Sequence, residues 1–302
     1  MSPDLHVRAA AVSGDTVPVG SEGTEESVAQ SQRRVGLVLA RASRVLGEEP
    51  YYHEFIEGLE RVLTPDGVSV LVKVVTDRAA ENATYQRWAA GQRVAGVILV
   101  DLQPDDERVT LVRELGLPAV VLGAPSTASG MPTVWTDDAG YAREAIRFLV
   151  DGGHATIGHV SGPLSFAHSQ LRREGAQAEA AELGVTVVPA EGDYSYESGR
   201  AATAALLDAR ATAIVCDNDL MALAALDTLR EREIAVPADM SVVAWDDSAL
   251  CQLATPALSA MSHDVVRVGE IAARAMLDAM AGKPPAVYQA PLAHMVVRES
   301  TN

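Results

Sequence analysis

One pattern recurs from residue 35 onward: four to eight apolar residues, a short polar break, an amphipathic stretch with helical spacing, then the next apolar run. The runs are VGLVLA (35–40), VSVLVKVV (68–75), AGVILV (95–100), PAVVLG (118–123), TIGHVSG (156–162), VTVVPA (185–190), TAIVCD (212–217) and SVVAWD (241–246). Val/Ile/Leu-rich runs with little polar alternation are expected of parallel strands covered on both faces, and the intervening helices supply the covers. Four such units precede residue 150 and four follow it. A last helix in VVRVGEIAARAMLDAMAG and the strand-like AVYQA and HMVVRES close the chain. At 302 residues the chain exceeds what one core usually holds, so the expected fold is α/β with two similar lobes. With 48% hydrophobic but only 4% aromatic residues, small aliphatic side chains must fill both interiors.

Function classes are narrowed by charge. The net charge of -17 repels phosphate backbones, so the chain itself is not expected to grip nucleic acid. No run reaches the roughly 18 to 20 apolar residues that span a bilayer, and the first residues do not read as an export signal. A cytoplasmic protein without membrane contact is the expectation. Cys216 and Cys251 lack CxxC spacing and lie in apolar contexts, so they read as buried reduced thiols.

In open parallel sheets ligands bind outside the carboxyl ends of the strands. Acids gather there: Asp101, Asp105 and Asp106; Asp137 and Asp138; Asp217 and Asp219; Asp246 and Asp247. As metal ligands they would need His or Cys at definite spacing, and no such cluster or calcium loop occurs. As catalytic groups they would need a nucleophile or cofactor motif, and GxSxG, Walker A and GxGxxG are absent. No cofactor and no catalysis are expected. Two readings stay open for each acid, helix capping and ligand hydrogen bonding. Asp138, Asp219 and Asp247 suit capping, whereas Asp137, Asn218 and Asp246 suit a ligand. Tyr51, Tyr52, Tyr194 and Trp245 stand where they could give a polyol an aromatic platform. Arg172 could bridge two ligand oxygens or pair with Glu174 on the surface. His168 and His263 are weaker candidates for the same cleft.

The stretches SGPLSFAHSQLRREGAQAEAAELG, DYSYESGRAATAALL, TAIVCDNDLMALAALDTLREREIAVPADMSVVAWDDS and MVVRES resemble, in order and spacing, the effector-binding core of the LacI/GalR family of bacterial transcriptional repressors. The resemblance runs from about residue 34 to 302. It implies two Rossmann-like lobes with parallel sheets joined by three crossovers, as in type I periplasmic binding proteins. It also implies a small effector between the lobes and a homodimer formed through the core; the expected effector is a small polar molecule, with a sugar as the leading choice. The N-terminal lobe is then residues 34–150 plus 265–287, and the C-terminal lobe 151–264 plus 288–302. Matched to the family pattern, the ligand contacts are Tyr51, Tyr52, Asp137, Arg172, Tyr194, Asn218 and Asp246. His263 stands where many members have glutamine, and ARASRVLGEEPYY is longer than the usual loop.

Members of that family normally begin with a helix-turn-helix headpiece and a hinge helix. Residues 1–33 are Ser/Gly/Glu-rich and read as a loosely attached segment without a complete helix-turn-helix. Operator DNA would therefore be reached only through a headpiece not evident in this chain. The rival reading is a solute-binding protein of a sugar transporter, which shares the fold but would need an export signal. A third is a sugar-processing hydrolase with Asp137 and Asp246 flanking a scissile bond.

Overall fold

A computed structural model describes residues 34–41, 47 and 49–302. The expectations for residues 1–33 and for most of the long loop after residue 41 lie outside the described residues.

The chain opens with β1 (Arg34–Ala40), α1 (Tyr51–Leu63), β2 (Ser69–Val75), α2 (Arg78–Ala90), β3 (Gly96–Leu99), α3 (Glu107–Glu114), β4 (Ala119–Leu122) and β5 (Thr133–Trp135). It then crosses to a second lobe for α4 (Asp138–Asp151), β6 (Thr156–Ser161), α5 (Ala167–Leu183), β7 (Thr186–Glu191), α6 (Tyr196–Asp208), β8 (Ala213–Cys216), α7 (Asp219–Glu231), β9 (Ser241–Ala244), α8 (Ala249–Leu253) and β10 (Ser259–Ser262). A second crossing returns it to the first lobe for α9 (Val265–Met280) and β11 (Val287–Gln289), and a third ends it in the second lobe at β12 (His294–Val296). The strand orders are β11-β5-β4-β3-β1-β2 and β12-β10-β9-β8-β6-β7. All pairings are parallel except β10 with β12. These are the two parallel-sheet lobes expected from the sequence pattern and the three crossovers implied by the resemblance, with one antiparallel edge strand added.

Central strands are buried on both faces, as their unbroken apolar runs require: Val97, Ile98 and Leu99 of β3 and Ile214 of β8 are fully covered. Edge strands differ. β2 and β7 are half-exposed, so their valines cover only one face of each sheet. In the first lobe α1 and α9 cover one face and α2 and α3 the other. In the second, α6 and α7 oppose α4 and α5.

Two boundaries move: Tyr288 and Gln289, expected in the second lobe, pair with β5 in the first-lobe sheet, and α4 changes lobe. The division at residue 150 leaves α4 with the first lobe, yet its buried face (Tyr141, Ala142, Ala145, Ile146, Leu149) joins the core of Ile157, Ala213 and Val243 in the second. The first crossing therefore falls between Trp135 and Asp138. α9 lies in the first lobe, as expected for residues 265–287, and Gly58 and Gly269 let α1 and α9 touch backbone to backbone. A Cβ at Gly58 would stand 2.0 Å from the Val266 carbonyl oxygen, and one at Gly269 would stand 2.2 Å from that of Phe55.

Candidate functional site

The carboxyl ends of strands from both lobes meet at one cavity. β1 delivers Arg41, β3 Asp101, β5 Thr136, β8 Asp217, β9 Asp246 and β10 His263. Helix starts add Tyr51 and Tyr52 (α1), Asp138 (α4) and His168 and Arg172 (α5). Each position follows from the sheet: a strand ends, the next helix has not yet begun, and side chains there point across the gap.

On the first-lobe side, the Arg41 guanidinium donates to both Asp101 carboxylate oxygens at 2.8 and 2.9 Å and to Glu49 at 2.8 Å. Tyr52 Oη donates to Asp101 at 2.9 Å. Burial pushes the Asp101 carboxyl up, but the Arg41 charge overrides it and holds the group down at about 2. Arg41 also lies over the Tyr194 ring, 4.5 Å from its centroid, and so reaches across to the second lobe.

On the second-lobe side, Arg172 Nε donates to Asp138 at 2.7 Å and its Nη1 donates to the Asp217 carbonyl at 3.0 Å, while the guanidinium sits 4.4 Å over Trp245. Asp217, unassigned from sequence, accepts from the Gly162 N–H at 3.1 Å and lies 2.8 Å from His159 Nε2. The Tyr194 hydroxyl is fixed by His168 Nε2 at 2.7 Å and Ser169 Oγ at 3.0 Å, and its ring occupies the space a Cβ at Gly162 would take, 2.1 Å away. His263 stacks on Trp245 at 5.5 Å, and its Nδ1 faces the Met261 carbonyl at 2.9 Å. Burial pushes this imidazole down to about 4, with the Arg172 charge adding to the effect. Asp246 is different. Its nearest ion-pair neighbour is His263 Nδ1 at 4.0 Å, and burial, reinforced by the Asp219 charge, raises its carboxyl well above the ordinary range.

Eight of the ten candidate residues line or wall this cavity: Tyr51, Tyr52, His168, Arg172, Tyr194, Asp246 and His263 directly, and Trp245 behind Arg172. Two do not, and both were assigned one residue out of place. Asp137 is the N-cap of α4, its carboxylate accepting from the Gly140 N–H at 3.0 Å, and it faces a separate outer groove; its neighbour Asp138 enters the cavity. Asn218 caps α7 through the Met221 N–H at 2.9 Å and donates to the Tyr194 carbonyl and to Glu49, so its amide is consumed by the protein. Asp219, expected to cap, instead accepts from the backbone N–H groups of Trp245 and Ser248 and ties β9 to α7. With Asp137 on a cap, the pair that a hydrolase reading needed is not formed across the cleft. Arg41 and Glu49 were missed because nothing in their local sequence distinguishes them. Asp101 was legible as a strand-end acid, and its positive φ of 51° marks the turn that aims it.

The two lobes are closed on each other. The Ala167 N–H donates to the Leu102 carbonyl at 2.8 Å and Asn218 Nδ2 to Glu49 at 3.2 Å, both across the interlobe gap. About 90 Å³ of cavity remains between them.

A two-lobed sheet pair with a polar cavity at the facing strand ends defines an effector-binding module, and comparison gives its family. A periplasmic binding protein-like domain family matches residues 146–301. The HTH-type transcriptional regulator CelR of Thermobifida fusca is 32% identical over 279 residues, 88% of this chain and 80% of that one. Among solved structures, a LacI family transcriptional regulator from Bifidobacterium animalis subsp. lactis superposes with a TM-score of 0.82 at 33% identity, covering 89% of this chain and 98% of that one. A CelR–cellobiose complex superposes with a TM-score of 0.82 at 28% identity, covering 95% and 92%. The chain belongs to the LacI family: it carries the effector-binding core of a transcriptional regulator and is not an enzyme.

Proposed function

We propose that the cleft senses a sugar and that its occupancy sets the spacing of the lobes, and through them the geometry of a homodimer at operator DNA. The observation that carries the reading is a pair of polar groups left over at the cavity: among the described residues His263 Nε2 has no hydrogen-bond partner, and Asp246 beside it has no arginine or lysine within ion-pair distance, the Arg172 charge reaching it only through space. Buried polar groups without partners are costly, and a hydroxylated ligand supplies the missing bonds. Tyr51 and Tyr194 line the cavity and would pack against the apolar side of a pyranose, Tyr194 once Arg41 leaves its ring. The CelR–cellobiose complex supports the sugar class.

Binding shifts a conformational equilibrium only by its differential affinity for the two states. Contacts from both lobes converge on one cavity, so a ligand touching both would favour closure. DNA contact belongs to a headpiece, in keeping with an acidic core, and the site of action is the cytoplasm. A thermal-shift screen of mono- and oligosaccharides, beginning with cellobiose, tests the reading. A sugar at 100 times its dissociation constant adds about 2.7 kcal/mol to stability. If no sugar moves the melting temperature of the intact chain, the sugar reading is wrong.

A further inference from the structure

The charge pairing inside the cleft points past "sugar" to a narrower class. Two guanidiniums, Arg41 and Arg172, line the cavity together with five carboxyl groups, Glu49, Asp101, Asp138, Asp217 and Asp246. Both guanidiniums are engaged. Arg41 is held by Asp101 and Glu49, and Arg172 by Asp138 and the Asp217 carbonyl. Neither histidine of the lining supplies a compensating charge at neutral pH, since burial lowers both His168 and His263. Asp246 has no hydrogen-bonded cation among the described residues; Asp219, Glu49 and Glu54 add negative potential around it, and the Arg172 charge offsets part of it.

His263 gives a second, independent observation. Its Nδ1 faces a carbonyl acceptor and therefore carries the proton, which leaves Nε2 with a lone pair. The side chain is only 8% exposed, lines the cavity, and is fixed by Trp245 on its face and Tyr141 at its edge. That nitrogen accepts a hydrogen bond and cannot give one. A hydroxyl satisfies it, whereas a phosphate or carboxylate oxygen meets it lone pair to lone pair.

We propose that the cleft selects uncharged sugars and rejects their anionic counterparts, sugar phosphates and sugar acids, with Asp246 and His263 Nε2 engaging hydroxyls of the ligand. The proposal rests on the sugar reading above and adds the charge class. Specificity of this kind is built from repulsion as much as attraction.

The test is isothermal titration of the intact chain with matched sugars: cellobiose against cellobionate, glucose against glucose 6-phosphate, and galactose against galacturonate. Where a neutral member binds, its anionic partner is expected to bind roughly a hundredfold more weakly. Asp101→Asn, its fold checked by circular dichroism, removes a carboxylate that the Arg41 charge holds ionised and narrows that gap by roughly tenfold. Circular dichroism that shows the variant unfolded moves this arm to Asp138→Asn, with the same expected narrowing. An anionic sugar that binds as tightly as its neutral partner overturns the charge proposal while leaving the sugar reading intact. A gap unchanged in the folded variant also overturns it. Silence from all six sugars overturns both.

Discussion

At the residue scale, the site turns on which of two adjacent side chains faces inward. Asp137 and Asp138 exchange their expected roles, whereas Asn218 takes the cap expected of Asp219, which instead ties β9 to α7. The sequence places a polar pair at each strand-to-helix turn, but one residue of shift in the first helical turn rotates a side chain by about 100° and decides between cap and cavity. Asn218→Ala removes a cap and two further bonds, to Tyr194 and Glu49. It should lower stability by about 1 to 2 kcal/mol in urea denaturation, and an unchanged midpoint would show the cap to be dispensable. His263 gives a pH prediction. Its folded value, about 4, lies below the ordinary 6.5, so its contribution is present above pH 6.5. As pH falls toward 4 the unfolded chain takes up a proton that the folded one refuses, and stability on the order of 3 kcal/mol is lost. Denaturation of wild type and His263→Gln at neutral and acid pH should show a shallower decline in the variant. Parallel declines would mean that this imidazole is not the group responsible.

At the element scale, most of the architecture was legible because eight strands are long apolar runs and their helices carry amphipathic spacing. Two strands were not read. β5 is three residues long, and β10 is SAMS, whose small and polar residues are buried all the same because the sheet and α4 enclose them. The assignment of α4 to its lobe was also hidden, since amphipathicity says that a helix has a buried face but not which core receives it; that of α9 came only from the family resemblance. The α1–α9 contact is the element-scale device that closes the first lobe over the chain's return. Gly269→Ala forces a methyl into the Phe55 carbonyl, and should cost about 1 to 3 kcal/mol despite alanine's better helix propensity. A thermal melt checks this, and a variant as stable as wild type would mean that the helices part without cost.

At the scale of the whole molecule, the cavity of about 90 Å³ is small against the roughly 300 to 1,000 Å³ of typical ligand pockets. A disaccharide therefore enters as the lobes part or as Arg41 withdraws from Tyr194. Arg41→Ala leaves Asp101 and Glu49 without their cation and removes an interlobe contact. It should destabilise the protein by about 3 kcal/mol, read in the same melt, and an unchanged melting temperature would show that the ion-pair cluster contributes nothing net. None of this clasp was visible in the sequence, because its partners are brought together from positions as far apart as Glu49 and Asn218 only by the two-lobed fold. The central claim is that this cleft holds a sugar through the groups the protein leaves without partners. Calorimetric titration of the intact chain with cellobiose, repeated on Asp246→Ala, tests it most directly. Saturable binding in the wild type, weakened roughly tenfold or more in the variant, is the expected result; equal affinity in the two proteins would contradict it.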